Sequence, residues 1–127
     1  MMQLRIAGTV ENSIVDGEGI RYTIFVQGCP HGCPGCHNPQ THDFQGGKLI
    51  DAAVLLKEIA SDPLLDGVTF SGGEPFCQAA ALAALGKQVH DLGLNLVTYT
   101  GYTLEQLLTD GREDWMALLN ETDILID

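Results

Sequence analysis

The sequence predicts an α/β fold: a parallel sheet with helices packed outside it. Three observations carry this prediction. Strand-like segments rich in β-branched and aromatic residues alternate with segments of helical periodicity, the pattern of right-handed βαβ units. The connections between them are short and marked by Gly, Pro and Asp. The 127 residues carry no internal repeat, low-complexity tract or linker-like stretch, which makes residues 1–127 one domain.

The elements follow in order. "LRIAGTV" (4–10) has a strand composition, and the Gly-rich "DGEGI" leads from it into "RYTIFVQ" (21–27), which reads as a largely buried strand. "KLIDAAVLLKEIA" (48–60) places Ile50, Ala53, Val54, Lys57 and Ala60 at helical spacing, with Asp62-Pro63 as its stop. "VTF" (68–70) is a short strand. Pro75 suits the first position of a helix reaching about Leu92 and ending at Gly93. "LNLVTY" (94–99) is the next strand. Thr103 and Gln106 form a capping-box pattern for a helix that breaks near Asp110-Gly111. A short amphipathic piece around Trp115 to Leu119 precedes a final strand, "DILID". Nothing after that strand covers or continues the sheet, so the domain is expected to be incomplete at its C-terminal end.

Charge narrows the function. Six basic residues against seventeen acidic ones give a net charge of −11, spread along the chain. Such a field repels phosphate backbones, so no nucleic-acid partner is expected. No membrane partner is expected either: no stretch approaches the roughly 18 apolar residues of a membrane span. "MMQLRIAGTV" lacks the three regions of a signal peptide. A cytoplasmic setting follows, in which clustered thiols stay reduced and bind metal more often than they form bridges.

Three motifs each directly follow a predicted strand: "GCPHGCPGCHNPQTHDF" (28–44), "SGGEP" (71–75) and "TGYT" (100–103). In parallel α/β sheets, ligands gather where strands run into helices, at the carboxyl ends of the strands. All three motifs should therefore face one site.

The first motif holds three of the chain's four cysteines, Cys29, Cys33 and Cys36. Thiolates suit zinc, copper(I) or an iron–sulfur cluster. Three is one ligand short of a closed tetrahedral zinc site, although His31, His37 or His42 could supply the fourth. A cubane cluster on three cysteines explains the deficit more directly, because one iron is left for an exogenous ligand. A redox dithiol is a third option. In "SGGEP", Gly72 and Gly73 allow the backbone to approach a ligand closely, and Glu74 favours the positive end of the following helix. On the same edge as the cysteines, this motif reads as a cradle for a small cationic or zwitterionic ligand. Cys77, among Ala and Leu, reads as a packing residue, and His90, near a helix end, as a surface one.

Cys29-x-x-x-Cys33-x-x-Cys36 after a strand, followed by Gly-Gly-Glu after the next, resembles the radical S-adenosylmethionine enzymes. Within that superfamily, "DGEGIRYTIFVQGCPHGCPGCHNPQTHDF" and "TYTGYT" are similar to the activating proteins of anaerobic (class III) ribonucleotide reductase. The resemblance runs from about Ser13 to the end of the chain. The activating enzymes of pyruvate formate-lyase are similar around "CHNP". Two features depart from the superfamily: Gly35 stands where an aromatic residue often precedes the last cysteine, and the related chains generally continue past "ILID".

The resemblance implies a partial (β/α) barrel of the radical-SAM type. It implies that Cys29, Cys33 and Cys36 hold a [4Fe–4S] cluster whose fourth iron binds the methionine end of S-adenosylmethionine. Gly72, Gly73 and Glu74 would then contact the amino group. Gly35, Cys36 and His37 would lie at the cofactor, with backbone near Gly35 and His37 meeting the adenine and Thr100 or Tyr102 walling it. The cofactors carry the chemistry, so no catalytic side chain is expected beyond them. One electron from the cluster would cleave the sulfonium to methionine and a 5′-deoxyadenosyl radical, which would take a hydrogen atom from a glycine of a large glycyl-radical enzyme. Anaerobic ribonucleotide reductase is the expected partner, with pyruvate formate-lyase or another such enzyme as the alternative. A low-potential protein would donate the electron, in anaerobic metabolism. From another class altogether comes a zinc-stabilised, non-catalytic binding module.

Overall fold

A computed structural model describes residues 3–13, 19–28 and 47–126. The strands are β1 (Gln3–Ser13), β2 (Arg21–Val26), β3 (Lys48–Asp51), β4 (Gly67–Gly72), β5 (Asn95–Tyr99) and β6 (Ile124–Ile126). The helices are α1 (Ala52–Ala60), α2 (Ala79–Asp91), α3 (Leu104–Asp110) and α4 (Glu113–Glu121), and a 3₁₀ turn (Pro75–Gln78) leads into α2. All six strands form one sheet in the order β3-β1-β2-β4-β5-β6.

The expected α/β architecture is present, and β2, β4, β5 and β6 run parallel. These four strands are the expected parallel sheet, and β1 and β3 add an antiparallel edge to it, which the sequence did not indicate. β1 pairs antiparallel with both β2 and β3. Residues 14–20 are too few for a crossover, which takes about a dozen residues or more, so β1 turns back directly into β2.

Two element boundaries also differ. The segment 48–60 is a strand followed by a helix. Lys48–Asp51 pairs with Gln3–Ile6 on the outer edge of the sheet. The Asp51 carboxylate then accepts from the Ala53 amide at 2.9 Å, which starts α1 one turn later than the periodicity suggested. Pro75 opens a 3₁₀ turn, and regular α-helix begins at Ala79. The later elements match their sequence signals. Gly93 at φ 81° ends the α2 region. Thr103 and Gln106 form both bonds of the capping box, and Gly111 closes α3 in the left-handed conformation.

One core joins these elements. Ile24 and Val26 of β2, Val68 and Phe70 of β4 and Leu96 of β5 cluster with Leu55 and Ile59 of α1, Leu82, Leu85 and Val89 of α2, and Trp115 and Leu118 of α4. Burial of this apolar surface is the main force holding the helices to the sheet. At the amino ends of the parallel strands, the buried Arg21 donates through Nε to Thr69 Oγ1 at 2.7 Å and through Nη2 to the Val68 carbonyl at 2.7 Å. A charge inside β2 is thus satisfied by β4, its parallel neighbour.

Candidate functional site

β2 and β4 end level with each other, with Val26 opposite Gly72. Beyond this pair the two chains stay tied. The Gly73 amide donates to the Val26 carbonyl at 2.8 Å, and the Glu74 amide donates to the Gly28 carbonyl at 2.8 Å. Between these two, the Gln27 carbonyl accepts from Gln78 Nε2 at 3.2 Å. The three residues before Cys29 are therefore all held by the segment 73–78.

Gly72 has φ +94°, and a Cβ there would lie 2.7 Å from both the amide nitrogen and the carbonyl oxygen of Val26. The lack of a side chain at Gly72 serves the close approach of β4's end to β2. Gly47 has φ +70°, and a Cβ on it would meet the Ile6 carbonyl and the Gln27 side chain. Gly47 thus stands beside Gln27, the neighbour of Gly28 in the chain.

Glu74 is fully buried, at 0% exposure. Its Oε2 accepts from the Phe76 amide at 3.1 Å and from Thr100 Oγ1 at 2.8 Å, while Oε1 accepts from the Gly101 amide at 2.8 Å. The first of these is the N-cap bond of the 3₁₀ turn. The other two reach the turn after β5. A buried carboxylate is costly unless hydrogen-bonded, and here three donors from two turns meet it. Its side chain braces protein against protein, tying the turn after β4 to the turn after β5.

Thr100 and Tyr102, the candidate walls that the resemblance implies, stand at the same edge. The Thr100 amide donates to the Ile126 carbonyl at 2.9 Å, extending the β5–β6 ladder. Tyr102 packs on Trp115 with ring centroids 4.9 Å apart. Trp115 meets Phe76 edge-on at 6.3 Å and donates from Nε1 to the Phe76 carbonyl at 3.0 Å. One indole from α4 thereby touches both the "SGGEPF" and "TGYT" segments.

The structure brings together Gly72, Gly73, Glu74, Thr100 and Tyr102. Cys29, Cys33, Gly35, Cys36 and His37, with His31 and His42, lie outside the described residues. Among the described residues, no group of three or more His, Cys, Asp or Glu side chains could hold a metal ion. Cys77 is exposed, which corrects the packing role read from its apolar neighbours: the 3₁₀ turn directs Pro75 and Phe76 inward instead. His90 is half-buried between Glu121 and Asp123, at 2.9 and 2.8 Å. The sequence reading missed Gln78 and Trp115. A lone Gln just before an Ala/Leu run, and a lone Trp on a short amphipathic piece, were the signals available.

A family model described as "4Fe-4S single cluster domain" matches residues 15–127. The chain belongs to that family. Its relatives bear out the resemblance to the radical S-adenosylmethionine activases. It is 36% identical to the anaerobic ribonucleoside-triphosphate reductase-activating protein of Pasteurella multocida, over 90% of this chain and 76% of that one. It is 36% identical to the pyruvate formate-lyase-activating enzyme of Clostridium pasteurianum, over 99% of this chain but 52% of that one. The chain thus spans about half of the latter's length. Among solved structures, QueE from Escherichia coli matches with a TM-score of 0.65 at 20% identity, over 79% of this chain and 53% of that one, a likeness of fold. The single-cluster family and the site agree. In the sequence, Cys29, Cys33 and Cys36 directly follow the buried, hydrogen-bonded stem of residues 26–28.

Proposed function

We propose that this chain is a radical S-adenosylmethionine activase that generates a glycyl radical on anaerobic ribonucleotide reductase. The observation that carries the reading is the convergence at one sheet edge. β2 delivers the cysteine segment, β4 delivers Gly72-Gly73-Glu74 beside it, and Glu74 fastens both to the turn after β5. In this reading Cys29, Cys33 and Cys36 hold a [4Fe–4S] cluster, which when bound supplies the electron that cleaves S-adenosylmethionine. The turn formed by Gly72, Gly73 and Glu74 receives the amino group of that cofactor. Gly35, Cys36 and His37 line it, and the Tyr102–Trp115 pair backs the turn that closes its far side.

The reductase is favoured over formate-lyase as target by the extent of the match. Reductase activases align over 76–77% of their own length, whereas the Clostridium formate-lyase activase aligns over 52% and the Escherichia coli one over 28%. Another glycyl-radical enzyme is the second reading. The same proposal takes residues 1–127 as one domain and includes a low-potential electron donor and a cytoplasmic, anaerobic setting. Among the described residues no helix is long and apolar enough to cross a membrane.

The test is anaerobic reconstitution, reduction, and addition of S-adenosylmethionine while methionine and 5′-deoxyadenosine are measured. Cleavage lost in Cys29→Ser, Cys33→Ser and Cys36→Ser supports the chemistry. A glycyl-radical signal on the reductase but not on formate-lyase then supports the partner. A colourless protein that takes up zinc, with no iron or sulfide, returns the cysteines to a structural role.

A further inference from the structure

We infer that Gln78 is a positioning residue for the cysteine segment: its carboxamide fixes the strand end from which Cys29 departs. This rests on the reading that Cys29, Cys33 and Cys36 hold a cluster. Gln78 Oε1 accepts from the Arg5 amide at 2.9 Å, and Nε2 donates to the Arg5 carbonyl at 2.8 Å and to the Gln27 carbonyl at 3.2 Å. A primary amide offers one acceptor oxygen and two donor hydrogens, and this site uses that full set. No other side chain of similar size supplies it.

The location gives the bonds their consequence. Val26, Gln27 and Gly28 are the last three residues before Cys29, and each carbonyl is held from the segment 73–78. Main-chain amides of Gly73 and Glu74 hold the outer two, so no substitution other than proline removes those donors. The middle one, on Gln27, is held by a side chain, and that side chain is Gln78. The β1–β2 ladder has a register shift between Ile6 and Gly8, next to this point. Gln78 bonds both main-chain polar groups of Arg5, as a neighbouring strand would, just beyond the shift. The Gln27 amide donates to that same Arg5 carbonyl at 2.9 Å. β1, the end of β2 and the turn after β4 are therefore clamped through one carboxamide.

A metal or cluster site is tuned by groups that orient its ligands, and their removal costs roughly 10- to 100-fold in affinity or activity. Gln78 acts one step further back: it sets the direction of the stem carrying the first ligand relative to the turn proposed to receive S-adenosylmethionine. Its loss should alter how the cofactor meets the cluster before it alters whether the cluster forms.

The experiment compares wild type with Gln78→Glu, which keeps size and the acceptor for Arg5 but loses both donors. Iron and sulfide content, thermal midpoint, and the electron paramagnetic resonance spectrum of the reduced cluster with and without S-adenosylmethionine are measured on each. The expected result is a folded variant that retains its cluster, shows a diminished spectral response to S-adenosylmethionine, and cleaves it roughly 10- to 100-fold more slowly. An unchanged spectral response and rate in a folded Gln78→Glu overturns the proposal. A wild type that takes up no cluster overturns the proposed function, and this inference with it. If Gln78→Glu does not fold, hydrogen exchange on the wild type decides. The Gly73 and Glu74 amides should be protected before cluster loading as well as after it. Protection that arises only on loading means that the cluster, and not the Gln78 clamp, builds the stem.

Discussion

Thr100 Oγ1 donates to the Glu74 carboxylate at 2.8 Å, joining two residues that follow different parallel strands and lie 26 positions apart. The bond lies inside the protein, with Glu74 fully buried and Thr100 nearly so. It gives the "SGGEP" and "TGYT" turns a fixed spacing, although the only shared ladder beneath them ends at Phe70 and Thr98. A ligand cradled between the turns would meet walls already in place, so less of its binding free energy would go into ordering them.

Replacing Glu74 with Gln tests that brace. A carboxylate accepts at both oxygens, whereas a carboxamide turns one end into a donor facing either the Gly101 amide or the Thr100 and Phe76 donors. At least one buried donor is left without its acceptor, at about 1–3 kcal/mol. Glu74→Gln should therefore lower stability to denaturant by about that amount and weaken S-adenosylmethionine binding, with iron content retained. Glu74→Ala should cost more, since all three donors lose their partner. Equal denaturation midpoints for Glu74→Gln and wild type would show that the brace contributes nothing.

The adjacent glycines should respond in different ways. Gly72→Ala puts a Cβ 2.7 Å from Val26 backbone atoms at φ +94°, a conformation that side chains rarely adopt. Strain of this kind costs on the order of 1–3 kcal/mol before the overlap is counted. Gly72→Ala should thus reduce folding yield and cluster content together. Gly73→Val, proposed to obstruct the ligand, should leave the cluster absorbance intact while weakening S-adenosylmethionine binding in a titration. The assignment fails if both variants lose the cluster to the same degree.

What the sequence made legible follows from the range of each interaction. The parallel strands and their turns were readable because "RYTIFV", "VTF" and "NLVTY" each lead within a few residues into Gly-containing turns. Thr103 and Gln106 were readable because a capping box is local. β3 was not: Lys48–Asp51 is a half-exposed edge, and its pairing with Gln3–Ile6 is set by contacts more than forty residues away. The ligand contact at Glu74 came from the family resemblance, and its donors on Thr100 and Gly101, 26 and 27 positions away, gave no local signal. Gln78 offered only its polarity beside an Ala/Leu run, because a carboxamide clamp exists only once β1 and β2 lie beside it. The antiparallel sense of β1 also escaped, since strand composition does not encode direction.

A pH dependence should come from His90. Its Nδ1 lies 2.9 Å from Glu121 and its Nε2 2.8 Å from Asp123, so the imidazolium can donate both ways. The hydrogen bond to Asp123 raises the His90 pKa most, the Glu121 carboxylate adds to this, and partial burial opposes both. Burial pushes the Asp123 carboxyl up, but bonds from His90 and the Leu96 amide outweigh it and hold the group below its ordinary value. The histidine's contribution is complete below its unfolded pKa of about 6.5 and is lost as pH rises through the raised folded value. That of Asp123 is complete above about 3.9 and is lost as pH falls through the lowered one. The groups are partly exposed, so the effect is small, roughly 1 kcal/mol or less. The difference in thermal midpoint between wild type and His90→Gln should be largest between about pH 4 and 6.5 and should shrink at higher pH. A difference that grows with alkalinity would contradict the ion pair.

Trp115 offers the last test, because one side chain of α4 supports two turns. Trp115→Phe keeps an aromatic ring but removes the Nε1 donor, leaving the buried Phe76 carbonyl without that bond, at about 1–3 kcal/mol. It also shortens the surface on which Tyr102 and the Arg112 guanidinium rest, the latter 5.0 Å from the ring centroid. Stability alone would not separate a packing role from a role at the site. Leu118→Ala serves as the comparison, since it truncates a fully buried core residue of the same helix at about 2–5 kcal/mol. The ring contacts between Trp115 and its two turns are not removed by that change. Denaturation should find Leu118→Ala at least as destabilised as Trp115→Phe. Titration with S-adenosylmethionine under conditions where both are folded should find Trp115→Phe the weaker binder. The reverse order of affinity would confine Trp115 to the core.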